Sequence, residues 1–386
     1  MQLSDGRHFS YCLNVHPGES FEDLLHAIET YVPEIKNALS PDQPFGLGLR
    51  IAKEASVELK NSEKLQQLKA CMEAQDCYAF TINGFPFGAF HQTRVKEHVY
   101  QPDWSSPERL DYSKDLFDHL AFLLPEGGEG SVSTVPLGYK FSEAKPSFTA
   151  YSKHLSEMAL HLHHIEQETG KLVHLGLEPE PDCVLETTAE TLAFFKEQLF
   201  TSGLASEKIL RRHIGVCLDT CHVAMQFEDP IEAVKAFTEA GIRISKTQIS
   251  AALECEAAND LTGLKAFDDG VYLHQVKSQN GKAWRDLPDF ISDDSCRLVA
   301  SAPTLRIHAH VPLHWEGDQD FRSTRHTLTP EFWKALAQSD CTHLEVETYT
   351  FDVLPESIRA GRTVAQDMIA ECQWALPNID IPLAIS

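Results

Sequence analysis

The 386-residue chain is long enough for two domains or for one large α/β barrel with decorations, and 42% of its residues are hydrophobic, enough for a sizeable core. Lys and Arg number 33 against 57 Asp and Glu, a formal charge of −24. That balance repels phosphate backbones and anionic bilayers, which argues against nucleic acid as a partner and against membrane surfaces. The opening MQLSDGRHFSYCLNV lacks a basic segment followed by an apolar one, and no uninterrupted apolar run could span a bilayer. The expectation is a cytoplasmic protein without direct membrane insertion. Ten cysteines are scattered, often inside apolar runs, as free thiols in a reducing compartment would be. Cys217 and Cys221 read as packing residues, because no second pair completes a zinc set.

In chain order, FSYCLNVH reads as a strand, and Ser20 then caps a helix with Leu24, Leu25, Ile28, Ile35 and Leu39 on one side. FGLGLRIA is the next strand, followed by a helix over 62–75 with Leu65, Leu68 and Met72. CYAFTING leads into a long excursion at about 84–130, after which GSVSTVPL is extended again. A helix over 149–169 stops at Gly170 and precedes KLVHLGLEPE and IGVCLDT. Asp229-Pro230 opens a helix that Gly241 closes. IRISKTQIS follows, then a second excursion at about 250–304, then LRIHAHVPL, a helix opened by Thr329-Pro330, HLEVETYT and a last helix over 355–374.

This alternation predicts parallel strands with helical crossovers, closed as a single (β/α)8 TIM barrel over 1–386 with long loops at the C-terminal ends of the strands. A doubly wound open sheet is the alternative, weakened by the absence of G-x-G-x-x-G after the first strand. Nine extended runs compete for eight places, which makes residues 305–311 a candidate loop excursion.

Alternate residues of a strand face opposite sides. In most of these runs one parity is apolar, as in Tyr11, Leu13 and Val15, Phe80 and Ile82, or Leu344 and Val346. The other parity carries Asn14 and His16, Thr81 and Asn83, His174 and Glu178, Asp219, Arg306, His308 and His310, and Glu345 and Glu347. If the apolar face packs under the helices, the polar face points into the barrel, where uncompensated charges would each cost several kcal/mol. Glu178, Asp219, Gln248, His310 and Glu347 all end or nearly end a run, so a parallel barrel would gather them at one mouth. Carboxylates with imidazole suit one Mn2+, Zn2+, Co2+ or Fe2+ ion better than Ca2+, and Mg2+ less well. Lys246 and His16 would face the same mouth, although His16 also reads as a cap for the first helix. Asn83 and His91 flank a GFPFG loop with aromatics able to cover a small ligand. The HLHH run, His161 to His164, reads as a solvated helix face.

LGLEPEP and GVCLDTCH resemble the xylose-isomerase-like TIM-barrel superfamily of sugar isomerases, keto-sugar 3-epimerases and endonuclease-IV-type nucleases. Broader similarity, through NVHPGES, TINGFPFGAFH, VKEHVYQPDW, RIHAHVPLHW and HLEVETYT, is to the EboE family of the bacterial ebo cluster, described as metabolite-traffic proteins. The resemblance implies that Glu178, Asp219 and Glu347 are metal carboxylates. It implies that His222 faces substrate, as in the epimerases, or metal, as in the nucleases. Gln248 stands where the superfamily usually has His, and its amide oxygen would coordinate more weakly. His308 and His310 resemble an extra ligand pair of the nuclease branch, with His310 nearer the strand end. Glu180 and Glu345 share the parity of Glu178 and Glu347 and are the ligands if the register is off by two.

Two carboxylates facing one metal are the parts needed to move a proton next to a carbonyl. The expectation is therefore a metal-dependent isomerase or epimerase with Glu178 and Glu347 as catalytic pair, and with His16, Asn83, His91, His222, Lys246 and His308 around a small oxygenated metabolite. The alternatives are a non-catalytic metabolite binder with a degenerate site, serving metabolite traffic beside partners from the same gene cluster, and an endonuclease-IV-like phosphoesterase on a small substrate.

Overall fold

A computed structural model describes residues 1–91, 94–143, 145–293 and 304–379. Eight parallel strands form the barrel: β1 (His8–Tyr11), β2 (Phe45–Arg50), β3 (Cys77–Asn83), β4 (Glu129–Thr134), β5 (Leu172–Leu177), β6 (Ile214–Asp219), β7 (Ile244–Ile249) and, last in sequence, His343–Val346. β2 to β7 pair in sequence order, the last strand lies between β7 and β1, and a Cys12–Gly48 bridge joins β1 to β2 and closes the ring. The predicted barrel is therefore present, and the open sheet is not.

Between β7 and the final barrel strand lies a second sheet of β8 (Ala252–Glu256), β9 (Val276–Ser278), β10 (Ala283–Trp284), β11 (Thr304–His310) and β12 (Phe321–Ser323). The final barrel strand is thus β13. All pairings in the second sheet are antiparallel. The ninth extended run, residues 305–311, is β11 of this sheet and not a barrel stave. The second excursion accordingly runs on to β12, although residues 294–303 lie outside the described residues.

The helices follow the expected signals with three corrections. Ser20 forms a capping box with Asp23, but the first helix breaks at Tyr31 into Phe21–Thr30 and Val32–Leu39, where Pro33 lacks the N–H needed to continue. The first excursion contains a 17-residue helix, Pro107–Leu123, capped by Ser106, and this is the crossover between β3 and β4. The last helix is split into Glu356–Arg359 and Val364–Ile379, with Ala360 and Gly361 left-handed between them. Phe148–Thr169 stops on left-handed Gly170 as expected.

Val173, Leu175, Val216, Leu344 and Val346 are buried in the apolar core that the helices share with the barrel. Inside, the polar parity forms paired layers. Lys246 Nζ meets Glu345 Oε2 at 2.5 Å with neither side chain exposed, and a Cβ on Gly48 would overlap that carboxylate. Thr81 bonds Ser131, which also meets His343 Nδ1 at 2.8 Å. Phe80 departs from its expected outward face. The β2–β3 register shifts between Leu47 and Gly48, and the Phe80 ring packs inside against His8 and His343.

Candidate metal centre

Three strand ends deliver carboxylates to one point. β6 stops at Asp219 because that residue caps the helix Thr220–Met225: Oδ1 accepts from the His222 N–H at 3.0 Å and from Ser250 Oγ at 2.7 Å. The cap uses one oxygen and leaves Oδ2 buried without a partner. Glu178 follows β5 immediately, and Pro179 forbids the strand to continue as a paired donor. Glu347 follows β13, with Oε1 held by Asn14 Nδ2 (2.8 Å) and Asn83 Nδ2 (3.2 Å). Oε2 of Glu178 and of Glu347 are also buried and unpartnered. One oxygen from each of the three residues lies within 4.8 Å of the others. Burial, reinforced by Glu347 and Asp219, pushes the Glu178 carboxyl well above its ordinary range. Burial, then Asp219 and Glu345, does the same to Glu347. Glu178 and Glu347 thus crowd two raised carboxyls beside Asp219, an arrangement that a bound cation would compensate.

Three histidines face this carboxylate corner, and each is oriented in the same way. The Nδ1 atoms of His222, His308 and His310 lie 3.1, 2.7 and 2.9 Å from the Pro179 carbonyl, Gln275 Oε1 and the Glu347 carbonyl. Each acceptor requires a proton on Nδ1, so each neutral ring turns an Nε2 lone pair inward. The Nε2 atoms of His222 and His308 stand 3.1 Å apart, and that of His310 has no partner. A ring fixed through one nitrogen with the other free is the arrangement that prepares imidazole for a metal. Asp219, His222 and His310 offer atoms within 4.8 Å of one another, as do Glu180, His222 and His308. The buried unpartnered atoms and the N/O donor set fit a divalent ion of the zinc or manganese type.

Above these groups opens a cleft whose walls include Asn14, Asn83, Tyr100, Tyr272 and Tyr349 beside Glu178 and Glu347. Among the described residues lining it, Lys96 is the sole Lys or Arg, and it is held by Asp286 at 2.6 Å. Tyr100 donates to Glu180 at 2.8 Å, and Glu180, raised by burial despite that bond, sits at about 8.

Not every predicted site residue reaches the cleft. Glu178, Glu347, Asn83, His222 and His308 line it, and Asp219 and His310 sit among the ligand groups around its floor. His310 arrives from the antiparallel sheet rather than from a barrel strand. Gln248 lies beside Glu345 in the ladder; its Oε1 accepts from the Cys217 thiol at 3.0 Å and its Nε2 is unpartnered. Lys246 is spent on Glu345, one layer down. His91 stands behind the wall, between the Asn14 carbonyl and Tyr272 Oη. His16 is elsewhere: it stacks on Tyr31 at 4.3 Å, bonds Tyr11 Oη and lines a different cleft, since the short 3-10 turn Leu13–Val15 ends the alternation that placed it inward. Sequence reasoning passed over Gln275 and Tyr100, which lie on the excursions, and Tyr349, which lies just past the end of β13.

No family model matches the chain, and no curated protein matches it. Among solved structures, the IolI protein with a bound zinc atom is similar at 12% identity over 96% of this chain and 98% of its own, with a TM-score of 0.49. A xylose isomerase domain containing protein from Salmonella typhimurium LT2 is similar at 10% identity over 98% and 99%, with a TM-score of 0.48. The probable 3-DHS dehydratase AsbF from Bacillus anthracis is similar at 10% identity over 96% and 98%, with a TM-score of 0.43. The eight-stranded parallel barrel described above is itself an α/β TIM barrel.

Proposed function

We propose that this protein is a divalent-metal-dependent isomerase or epimerase for a small, uncharged, sugar-like or otherwise oxygenated metabolite, with Glu178 and Glu347 as the proton-transfer pair. The observation that carries the reading is the position of these two glutamates, both on the cleft and both within 4.8 Å of Asp219 through their ligand atoms. Glu178, Asp219, Glu347 and His310 would hold the ion, with Gln248 joining only by releasing the Cys217 thiol. When bound, the ion polarises carbonyl and hydroxyl oxygens of the substrate. One glutamate takes the proton from the carbon beside the carbonyl, and the other returns it. Asn14 and Asn83 hold Glu347 by Oε1 and so keep Oε2 directed at the substrate. Tyr272, Tyr349 and Phe90 pack on one another as an aromatic wall that limits water.

The three-histidine corner favours a second reading, hydrolysis of a small phosphoester. Against it, Lys96 is neutralised by Asp286, and no other Lys or Arg among the described residues lines the cleft to take a phosphate. A metabolite binder serving traffic, as the EboE resemblance implies, is supported by the occupied amide of Gln248.

The test is incubation of metal-saturated protein with a panel of ketoses, aldoses and small phosphoesters in deuterated water. Deuterium should enter at the carbon next to the carbonyl, and Glu347→Gln should slow its entry by about 10²–10⁴-fold. Binding without exchange would establish the binder instead, and phosphate release without exchange the hydrolase.

A further inference from the structure

Most close groupings of metal-ligating side chains among the described residues belong to the mouth, but one does not. His163 and Glu166 lie one turn apart on the helix Phe148–Thr169. His213 ends the neighbouring helix Glu207–His213 and leads directly into Ile214, the first residue of β6. The three therefore meet at the opposite end of the barrel from the cleft. Their ligand atoms lie within 4.8 Å of one another.

The orientation of His213 makes this more than a chance cluster. Its Nδ1 is 2.8 Å from the Val173 carbonyl, which requires the proton on Nδ1 and leaves a lone pair on Nε2. The side chain is fully buried, yet Nε2 has no hydrogen-bond partner and points at Glu166 Oε2 from 3.4 Å. His163 Nδ1 is likewise buried and unpartnered. A lone pair aimed at a carboxylate oxygen is repulsive unless a cation lies between them. Arg212 orients the carboxylate, donating from Nε to Oε2 at 2.7 Å and from Nη2 to Oε1, and each oxygen keeps a further lone pair.

We propose that His163, Glu166 and His213 form a structural transition-metal site, separate from the mouth, that clasps these two helices onto the base of β5 and β6. Two imidazoles and one carboxylate are a zinc-class donor set, with the remaining position left to solvent on the half-buried His163 side. The hard cations Ca2+ and Mg2+ are not its ligands.

The test uses the full chain carrying Asp219→Ala, stripped of metal and re-equilibrated with Zn2+ alone, with metal per chain and Tm as readouts. The Asp219→Ala protein should hold one more zinc per chain than the Asp219→Ala/His163→Ala protein, whatever remains at the mouth. Zinc should raise the Tm of the first by more than that of the second, and Ca2+ should give no such difference. His163 is partly exposed, so its loss spares folding; Glu166→Gln should act in the same direction. Equal zinc content in the two proteins overturns the site. So does an equal Tm response to zinc, since a merely packing role for His163 would lower Tm with or without metal.

Discussion

Asp219 shows how one side chain serves two purposes at the residue scale. Its Oδ1 is a helix cap and its Oδ2 is free, so the capping and metal readings of LDTCH are compatible. Substitution separates them. Asn caps a helix about as well as Asp, whereas Ala loses about 0.5–2 kcal/mol. Asp219→Asn should therefore match the Tm of the metal-free wild-type protein while losing the metal held at the mouth. Asp219→Ala should lose both, with the barrel still folded by circular dichroism. Full metal content in the Asn variant would remove Asp219 from the ligand set. Glu178, Asp219 and Glu347 were legible from sequence because each follows a run whose apolar parity fixes direction. His16 was not, because its direction depends on a 3-10 turn and an aromatic partner, Tyr31, that periodicity does not report.

At the scale of elements, alternation of strands and helices was enough to recognise the barrel, since it reflects local chemistry. Register shifts and the antiparallel sheet were harder to read because both depend on partners distant in sequence. β11 has the same polar parity as a barrel stave, but its Arg306 serves the sheet while His308 and His310 turn to the mouth. Arg306 of β11 and Arg322 of β12 both bond Glu254 of β8, with His326 3.1 Å from the same carboxylate. Burial raises the Glu254 carboxyl, but its bonds to His326, Arg306 and Arg322 outweigh this and hold it at about 2. A depressed carboxyl stabilises the fold above its unfolded value, about 4.3, and loses that contribution as pH falls through its folded value. The second sheet should therefore loosen between about pH 4 and pH 2 in hydrogen exchange. Glu254→Gln should cost about 3–5 kcal/mol at neutral pH by leaving Arg306 buried without a counter-charge, and should flatten the stability profile across that acid range. An unchanged profile in the variant would show that other groups set the acid response.

For the molecule as a whole, length and composition allowed one large barrel, and the described residues form one, with no helix long and apolar enough to cross a membrane. The excess of acid is not confined to the surface. Glu178, Glu180, Asp219 and Glu347 are all buried around one cleft, and Lys246 below them is already matched by Glu345. Sequence reading could place these charges at one rim but not say which would be neutralised by neighbours, because pairs such as Lys246–Glu345 are set by closure of the ring.

The origin of His310 has a consequence beyond chemistry. It comes from the antiparallel sheet, whereas Glu178, Asp219 and Glu347 belong to the barrel, so an ion gripped by all four would fasten one layer to the other. Order in the covering layer would then be bought with free metal: each tenfold rise above the dissociation constant adds about 1.4 kcal/mol to that junction. Chelation should speed limited proteolysis between residues 252 and 323, while the two flanking fragments, which together carry the eight barrel strands, persist. Cleavage at the same rate with and without chelator would mean that the layers hold together unaided. Metal scarcity would then be felt by this protein as a loss of shape at its entrance.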